Sequence, residues 1–204
     1  MMLHYVTIGE EGHPTVAVLH GILGSCLNWR SFCQRLHRLR PELRFVLIDL
    51  RNHGRSPQIA PPNGLRNCAD DIQHLQEQIG PITAIVGHSF GGKVALQCAD
   101  SFGDALKEIW VLDSNPGLLS SSPKDRHEVA QVLSVLNSVK LPVAKRQHII
   151  AQLLELGATS LIARWMTTNL KKNEAGTGYV WRFHLAGVEE MIEDYFQQDL
   201  WHVL

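Results

Sequence analysis

The sequence predicts an α/β protein, a mostly parallel sheet with helices on both faces, and three observations predict it. Short apolar runs of strand length alternate with stretches whose apolar residues recur at three and four positions, and this alternation repeats four times. The runs at residues 15–20, 44–50, 83–86 and 109–113 are apolar enough to be buried on both faces, as strands of a parallel sheet are. Polar or glycine-bearing motifs follow each run, so right-handed crossovers gather them at the carboxyl edge of the sheet, where such folds bind ligands. At 204 residues the chain is long enough for one domain with a real core.

Taken in order, residues 3–8 form a first strand, and a polar turn over 10–14 leads into the second. From Asn28 onward, Trp29, Phe32, Cys33, Leu36 and Leu39 set one apolar stripe on a helix that Pro41 stops. The run at 44–50 opens into a turn-rich loop over 51–57 and 61–64. Asn67 then reads as a helix cap, with Asp70 and Asp71 in the first turn where the helix dipole favours them and Cys68, Ile72, Leu75 and Ile79 as the stripe. Gly80-Pro81 closes that helix. The strand at 83–86 is followed by a helix over 91–102 carrying Val94, Ala95, Cys98 and Phe102, and then by the strand at 109–113. Beyond Gly117 the pattern turns helical. Val129, Val132, Leu133 and Leu136 share a face, as do Ile149, Ile150, Leu153 and Leu154, then Leu161, Ile162, Trp165 and Met166. Residues 171–178 read as a polar loop, 179–183 as extended, and a last helix carries Val188, Met191, Ile192 and Tyr195. The expected division is a core over 1–117 and a helical lid over 118–204.

The bulk numbers exclude several classes. Hydrophobic content of 45%, charge content of 19% and a formal net charge of -1 describe an ordinary soluble globular protein and point to no nucleic-acid or acidic-membrane partner. No apolar run reaches the length of a bilayer-spanning helix, and Met-Met-Leu-His opens the chain without a basic region and apolar stretch, so an intracellular location, cytoplasmic or organellar, is expected. Cys26, Cys33, Cys68 and Cys98 are scattered singly, as small apolar fillers in a reducing compartment. Oligomeric state is open.

The densest signal is Gly87-His88-Ser89-Phe90-Gly91, which lies between a strand and a helix. A sharp strand-to-helix turn leaves no room for side chains two residues either side of its centre, and it lifts the serine oxygen out as a nucleophile. The same pentapeptide pattern also occurs by chance in turns; the strand before it and the helix after it favour the functional reading.

His20-Gly21 after an early strand, the octapeptide from Asp49 to Ser56, and the elbow at Ser89 together resemble the α/β-hydrolases. More narrowly, the stretch from Leu112 to Gly117 and Trp181-Arg182-Phe183 resemble the small esterases grouped with abhydrolase domain-containing protein 11 and its bacterial relatives. The resemblance implies acyl transfer through a covalent intermediate on a small to medium ester or thioester, with Ser89 as nucleophile and no metal or organic cofactor. It places the oxyanion donors on the backbone N–H groups of Phe90 and Ile22 and the acid on Asp113, for which a cap or turn role is the alternative. Asp49 reads as the anchor of the 51–56 loop, His20 and His88 as positional, and Lys93 as a solvated or loop-contacting charge. The histidine that such a triad needs is not found on a strand-borne loop. After Asp113 come His127, His148, His184 and His202, with His202 the first among weak candidates. A complete fold of this kind needs on the order of 50 to 70 further residues, two strands and two helices, so the chain is expected to be truncated before the last two strands. A catalytically impaired homologue acting as a binding protein is therefore the alternative function.

Overall fold

The structure, a computed structural model, describes residues 2–118 and 123–204; the side chains of Asp100 and of residues 123–128, His127 included, lie outside the described set. Five strands, β1 (Tyr5–Ile8), β2 (Thr15–Leu19), β3 (Arg44–Ile48), β4 (Ile82–His88) and β5 (Glu108–Leu112), form one sheet in the order β1-β3-β2-β4-β5. β1 runs antiparallel to β3 and every other pairing is parallel. Successive residues of a strand point to opposite faces, so a strand buried at all five positions, as β2 and β3 are, needs cover on both. Helix α1 (Arg30–Leu39) supplies it on one face, where Cys33, Leu36 and Trp29 meet Val16, Val18, Phe45 and Leu47. Helices α2 (Leu65–Ile79) and α3 (Phe90–Phe102) supply it on the other, setting Ile72, Leu75, Val94, Ala95 and Cys98 against Ala17, Leu19, Val46, Ile48 and Ile85.

The remaining elements are α4 (Pro123–Ser138), α5 (Arg146–Glu155), α6 (Ser160–Met166), β6 (Leu170–Lys172), β7 (Tyr179–Trp181) and α7 (Leu185–Gln197). Leu136, Ile149, Leu153, Met166, Trp181 and Val188 share a second apolar cluster, into which Leu23 of the first half of the chain is inserted. Helix α7 faces two ways. Its Met191 belongs to the sheet-side core, while Val188, Ile192 and Phe196 belong to the second cluster. Among the described residues no helix is long and apolar enough to cross a membrane.

Several sequence expectations need correction. Asn67 is not the cap of α2 but its third residue. The helix starts at Leu65, and Asn67 Oδ1 accepts the Gly64 amide at 3.0 Å, closing the first turn from within. Asp71 is not a dipole partner in the first turn but pairs with Arg51, which donates to its carboxylate at 2.7 and 2.8 Å. The stripe of α1 is only half used, because Phe32 and Leu39 stay 47% and 77% exposed on a face that carries this one helix. Leu154, Leu161 and Trp165 are likewise exposed. Lys171 and Lys172, read as the start of a polar loop over 171–178, instead join Leu170 in β6 and pair antiparallel with β7; a three-residue strand with two exposed lysines leaves no alternation to read. β5 ends the sheet among the described residues and leaves Trp110 57% exposed.

Candidate active site

The carboxyl ends of β2, β3, β4 and β5 bring four loops to one rim, as the sheet topology dictates. At the end of β4 the backbone of Ser89 turns with φ 51° and ψ -119°, a region that costs about 1–3 kcal/mol for a residue with a side chain. The turn is held from both sides. Ser89 N–H donates to Leu112 O at 2.9 Å, and Gly92 N–H donates to Ser89 O at 2.8 Å. A Cβ on Gly87 would fall onto the Gly91 carbonyl, and one on Gly91 would lie 2.7 Å from the His20 carbonyl oxygen, so the backbones here meet at glycine distance. Ser89 is half-buried and opens into a cleft of about 580 Å³ lined by Ile22, Trp29, Phe32, His88 and, from the second half of the chain, Trp165.

The loop after β2 is laced to the loop after β3. Leu23 N–H donates to His53 Nε2 at 3.1 Å, Gly24 N–H to Gly21 O at 3.0 Å, Ser25 N–H to Asn28 Oδ1 at 2.6 Å and Cys26 N–H to Asp49 Oδ1 at 2.7 Å. Of the amides from Ile22 to Cys26, Ile22 alone has no acceptor among the described residues. Phe90 N–H is the first of α3 and has no intrahelical acceptor either. Two histidines complete the lacing in opposite directions. His20 Nδ1–H donates to Gly21 O at 2.8 Å while its Nε2 accepts from Leu50 N–H; His53 Nδ1–H donates to Arg51 O at 2.9 Å while its Nε2 accepts from Leu23 N–H. An imidazole that donates at one nitrogen and accepts at the other is neutral. Burial lowers the pKa of both, and with the neighbouring His20 ring it takes His53 down to about 3.

Asp49 does more than anchor its own loop. Besides the Arg55 amide at 2.9 Å it takes the Cys26 amide of the other loop, and His4 Nδ1 lies 2.9 Å from its Oδ2. Burial pushes its pKa up, but the Cys26 and Arg55 amides outweigh this and hold the carboxyl below its ordinary value. His4, Cys26 and Asp49 place three ligand-type atoms within 4.8 Å of one another. Both Asp49 oxygens are engaged, however, and burial with the Asp49 charge raises the Cys26 thiol to about 12, so the group is a hydrogen-bonded strut more than a metal cradle.

The acid side is different. Asp113 follows β5 at φ 50°, is exposed, and has no side-chain partner among the described residues. Among the described residues, His20 and His88 are the histidines that line the Ser89 cleft. His20 is fully engaged, and His88 sets its ring 6.1 Å from that of Trp29. His148 is exposed on α5, His184 lines a separate cleft of about 670 Å³ beside the β6–β7 hairpin, and His202 lies in the turn Trp201–Val203. The structure thus gathers Ser89, Ile22 and Phe90 but does not join Ser89 and Asp113 through a histidine among the described residues. Lys93, expected to be a solvated or loop-contacting charge, is not solvated: it is 0% exposed and donates to the carbonyls of Gly117, Tyr195 and Gln198.

A serine on a strained strand-to-helix turn thus stands at the carboxyl edge of a parallel sheet, beside two amides with no acceptor among the described residues. The chain belongs to the alpha/beta hydrolase fold family, whose model matches residues 14–148. It is 30% identical over 196 residues to the "sn-1-specific diacylglycerol lipase ABHD11" of Danio rerio, covering 94% of this chain and 60% of that protein. It is 29% identical over 176 residues to the "Probable alcohol acetyltransferase" of Saccharomyces cerevisiae, covering 82% and 50%. The solved structure named "Marine microorganism esterase" superposes with a TM-score of 0.85 at 26% identity, over 96% of this chain and 73% of that one. The chain thus spans 60% or less of the length of these two curated relatives.

Proposed function

We propose that this chain carries the nucleophile, the oxyanion hole and the acid of a serine hydrolase that cleaves carboxylic ester or thioester bonds of small to medium acyl substrates. Ser89 Oγ–H loses its proton to a general base that the described residues do not supply, its oxygen bonds to the carbonyl carbon, and the C=O π pair moves onto the carbonyl oxygen between the Ile22 and Phe90 amides; the proton is then delivered to the leaving alcohol or thiol. Collapse of that intermediate expels the alcohol or thiol and leaves an acyl-serine for water to cleave. Asp113 is the proposed acid, and residues 1–117 and 118–204 are the proposed core and lid, the latter contributing Trp165 to the cleft. The observation that carries this reading is the state of the loop after β2: of the five amides from Ile22 to Cys26, four are committed to named acceptors, and the one with none among the described residues is Ile22, beside Ser89. The esterase and lipase named among the relatives support the substrate class. The test is hydrolysis of p-nitrophenyl butyrate by the purified chain. Turnover lost in Ser89→Ala is expected, and equal turnover in both sinks the reading.

A second reading rests on one specific observation, that the histidines lining the cleft are His20, already engaged at both ring nitrogens, and His88. It makes the chain a binder of acyl ligands without turnover. Binding of a non-hydrolysable ester analogue together with undetectable hydrolysis would favour it. A transferase, as the yeast relative's name describes that protein, differs in the acceptor and is recognised by an ester product when an alcohol is supplied.

A further inference from the structure

Lys93 stands four residues after Ser89 on α3, and its side chain is 0% exposed. An ammonium group has three N–H donors and no acceptor. Here all three have carbonyl partners: Gly117 O at 2.8 Å, Tyr195 O at 2.9 Å and Gln198 O at 2.8 Å. These carbonyls come from two places far apart in sequence. Gly117 closes the loop that follows Asp113, and Tyr195 and Gln198 lie where α7 ends. The last carbonyls of a helix lack intrahelical donors and carry the negative end of its dipole, so a cation is the group that suits them. The two segments also touch each other, because Leu200 N–H donates to Pro116 O at 2.9 Å. Where the chain leaves the sheet and where it returns, it meets Lys93.

Contacts continue from there to the reacting serine. The Lys93 ammonium lies 4.7 Å above the Tyr195 ring, which sits 5.8 Å from the Phe90 ring, and the Tyr195 hydroxyl is 3.5 Å from Ser114 Oγ. Phe90 bears one proposed oxyanion donor, and Ser114 follows the proposed acid. We propose that Lys93 is a positioning residue, a clamp that fixes both hinges of the 118–200 segment to the nucleophile helix and through them sets the acid loop and the Phe90 turn. An ammonium out of water is tolerable only while all its donors are satisfied. The clamp therefore holds the segment closed, and opening it requires water to reach Nζ. Burial lowers the Lys93 pKa, and the charges of Asp199 and Asp194 oppose it by favouring the charged form.

The effect on chemistry rests on the Ser89 reading, whereas the clamp itself does not, and the test separates them. Hydrogen exchange by mass spectrometry is compared between the full wild-type chain, Lys93→Met, which has no donor, and Lys93→Gln, which keeps two. Expected is an acceleration of about tenfold or more at residues 113–118 and 194–200 in Lys93→Met, the size set by losing one hydrogen bond to a charged group, with β2–β4 unchanged and Lys93→Gln intermediate. Unchanged exchange at those segments, or equal acceleration throughout, overturns the clamp; should Lys93→Met fail to fold, Lys93→Gln alone decides by the same pattern. Fluorophosphonate labelling of Ser89 is followed in parallel. A rate reduced about tenfold in Lys93→Met and less in Lys93→Gln supports the positioning role, and an unchanged rate beside altered exchange overturns it. Absence of labelling in the wild type defeats the Ser89 reading and leaves exchange to decide the clamp.

Discussion

The two flanks of Ser89 are built differently. On the β2–β3 side, the loop bearing Ile22 is tied down by His53, Asn28 and Asp49, and the loop that ties it is itself held by His20, Arg51 and the Asp49 carboxylate. On the β5 side, Asp113 holds a positive φ, stands exposed and takes no side-chain partner among the described residues. The first flank is made to present an amide without reorganisation, which is where an oxyanion hole gains its effect. The second is anchored from Ser114 onward, by the Tyr195 hydroxyl at Ser114, the Leu200 amide at Pro116 O and the Lys93 ammonium at Gly117 O. On the proposed reading, the donors for developing charge are held in place, while the proposed acid has no side-chain partner among the described residues.

The contrast can be broken by mutation. The largest expected effect is at Arg51, whose guanidinium also donates to Pro62 O and Asn67 O. Arg51→Met leaves the Asp71 carboxylate buried and unpaired and should cost about 3–5 kcal/mol in urea denaturation. Asp49→Asn turns an acceptor of the Arg55 and Cys26 amides into a group that can face only one of them with oxygen, for a loss of about 3 kcal/mol. By contrast, Asp113→Asn should stay within about 0.5 kcal/mol of wild type, and Asp113→Gly should gain up to about 1 kcal/mol through relief at φ 50°. A loss at Asp113 as large as at Asp49 would erase the difference between the flanks.

Acid sharpens the same contrast. The His53 pKa falls from 6.5 to about 3 on folding, so between those values the unfolded chain binds a proton that the folded one refuses. Stability then rises with pH across that window, by up to about 1.4 kcal/mol per pH unit from this group, and its contribution is complete above it. Denaturation midpoints between pH 4.5 and 7.5 should show the slope, and His53→Asn should flatten it. A slope that survives the substitution unchanged would remove His53 from the lacing.

The sheet and the elbow were legible because they depend on local pattern. Apolar runs of strand length and two glycines around Ser89 carry their own geometry. Element ends shifted by two or three residues, as with β4, which runs on to His88, and α2, whose cap is Gly64 and not Asn67. What local pattern could not carry was any role set by distant backbone atoms. Lys93 looks like a surface residue in the first turn of a helix until carbonyls 24, 102 and 105 residues away converge on it. His53 is one histidine in a turn-rich loop, and its partner amide at Leu23 lies 30 residues earlier. A signal was present for Arg51 and Asp71, two opposite charges inside otherwise buried segments, but not for which would pair. The exposed Phe32 and Leu39 failed as core predictions for another reason, since the stripe of α1 is broader than the single layer it meets.

The central claim is that Ser89 is a nucleophile beside a preformed pair of amide donors, and reaction with a fluorophosphonate tests it most directly. Intact-mass measurement of the purified chain should show a single adduct that maps to Ser89 and is lost in Ser89→Ala. No adduct in the wild type, or an adduct of equal yield in Ser89→Ala, would contradict it.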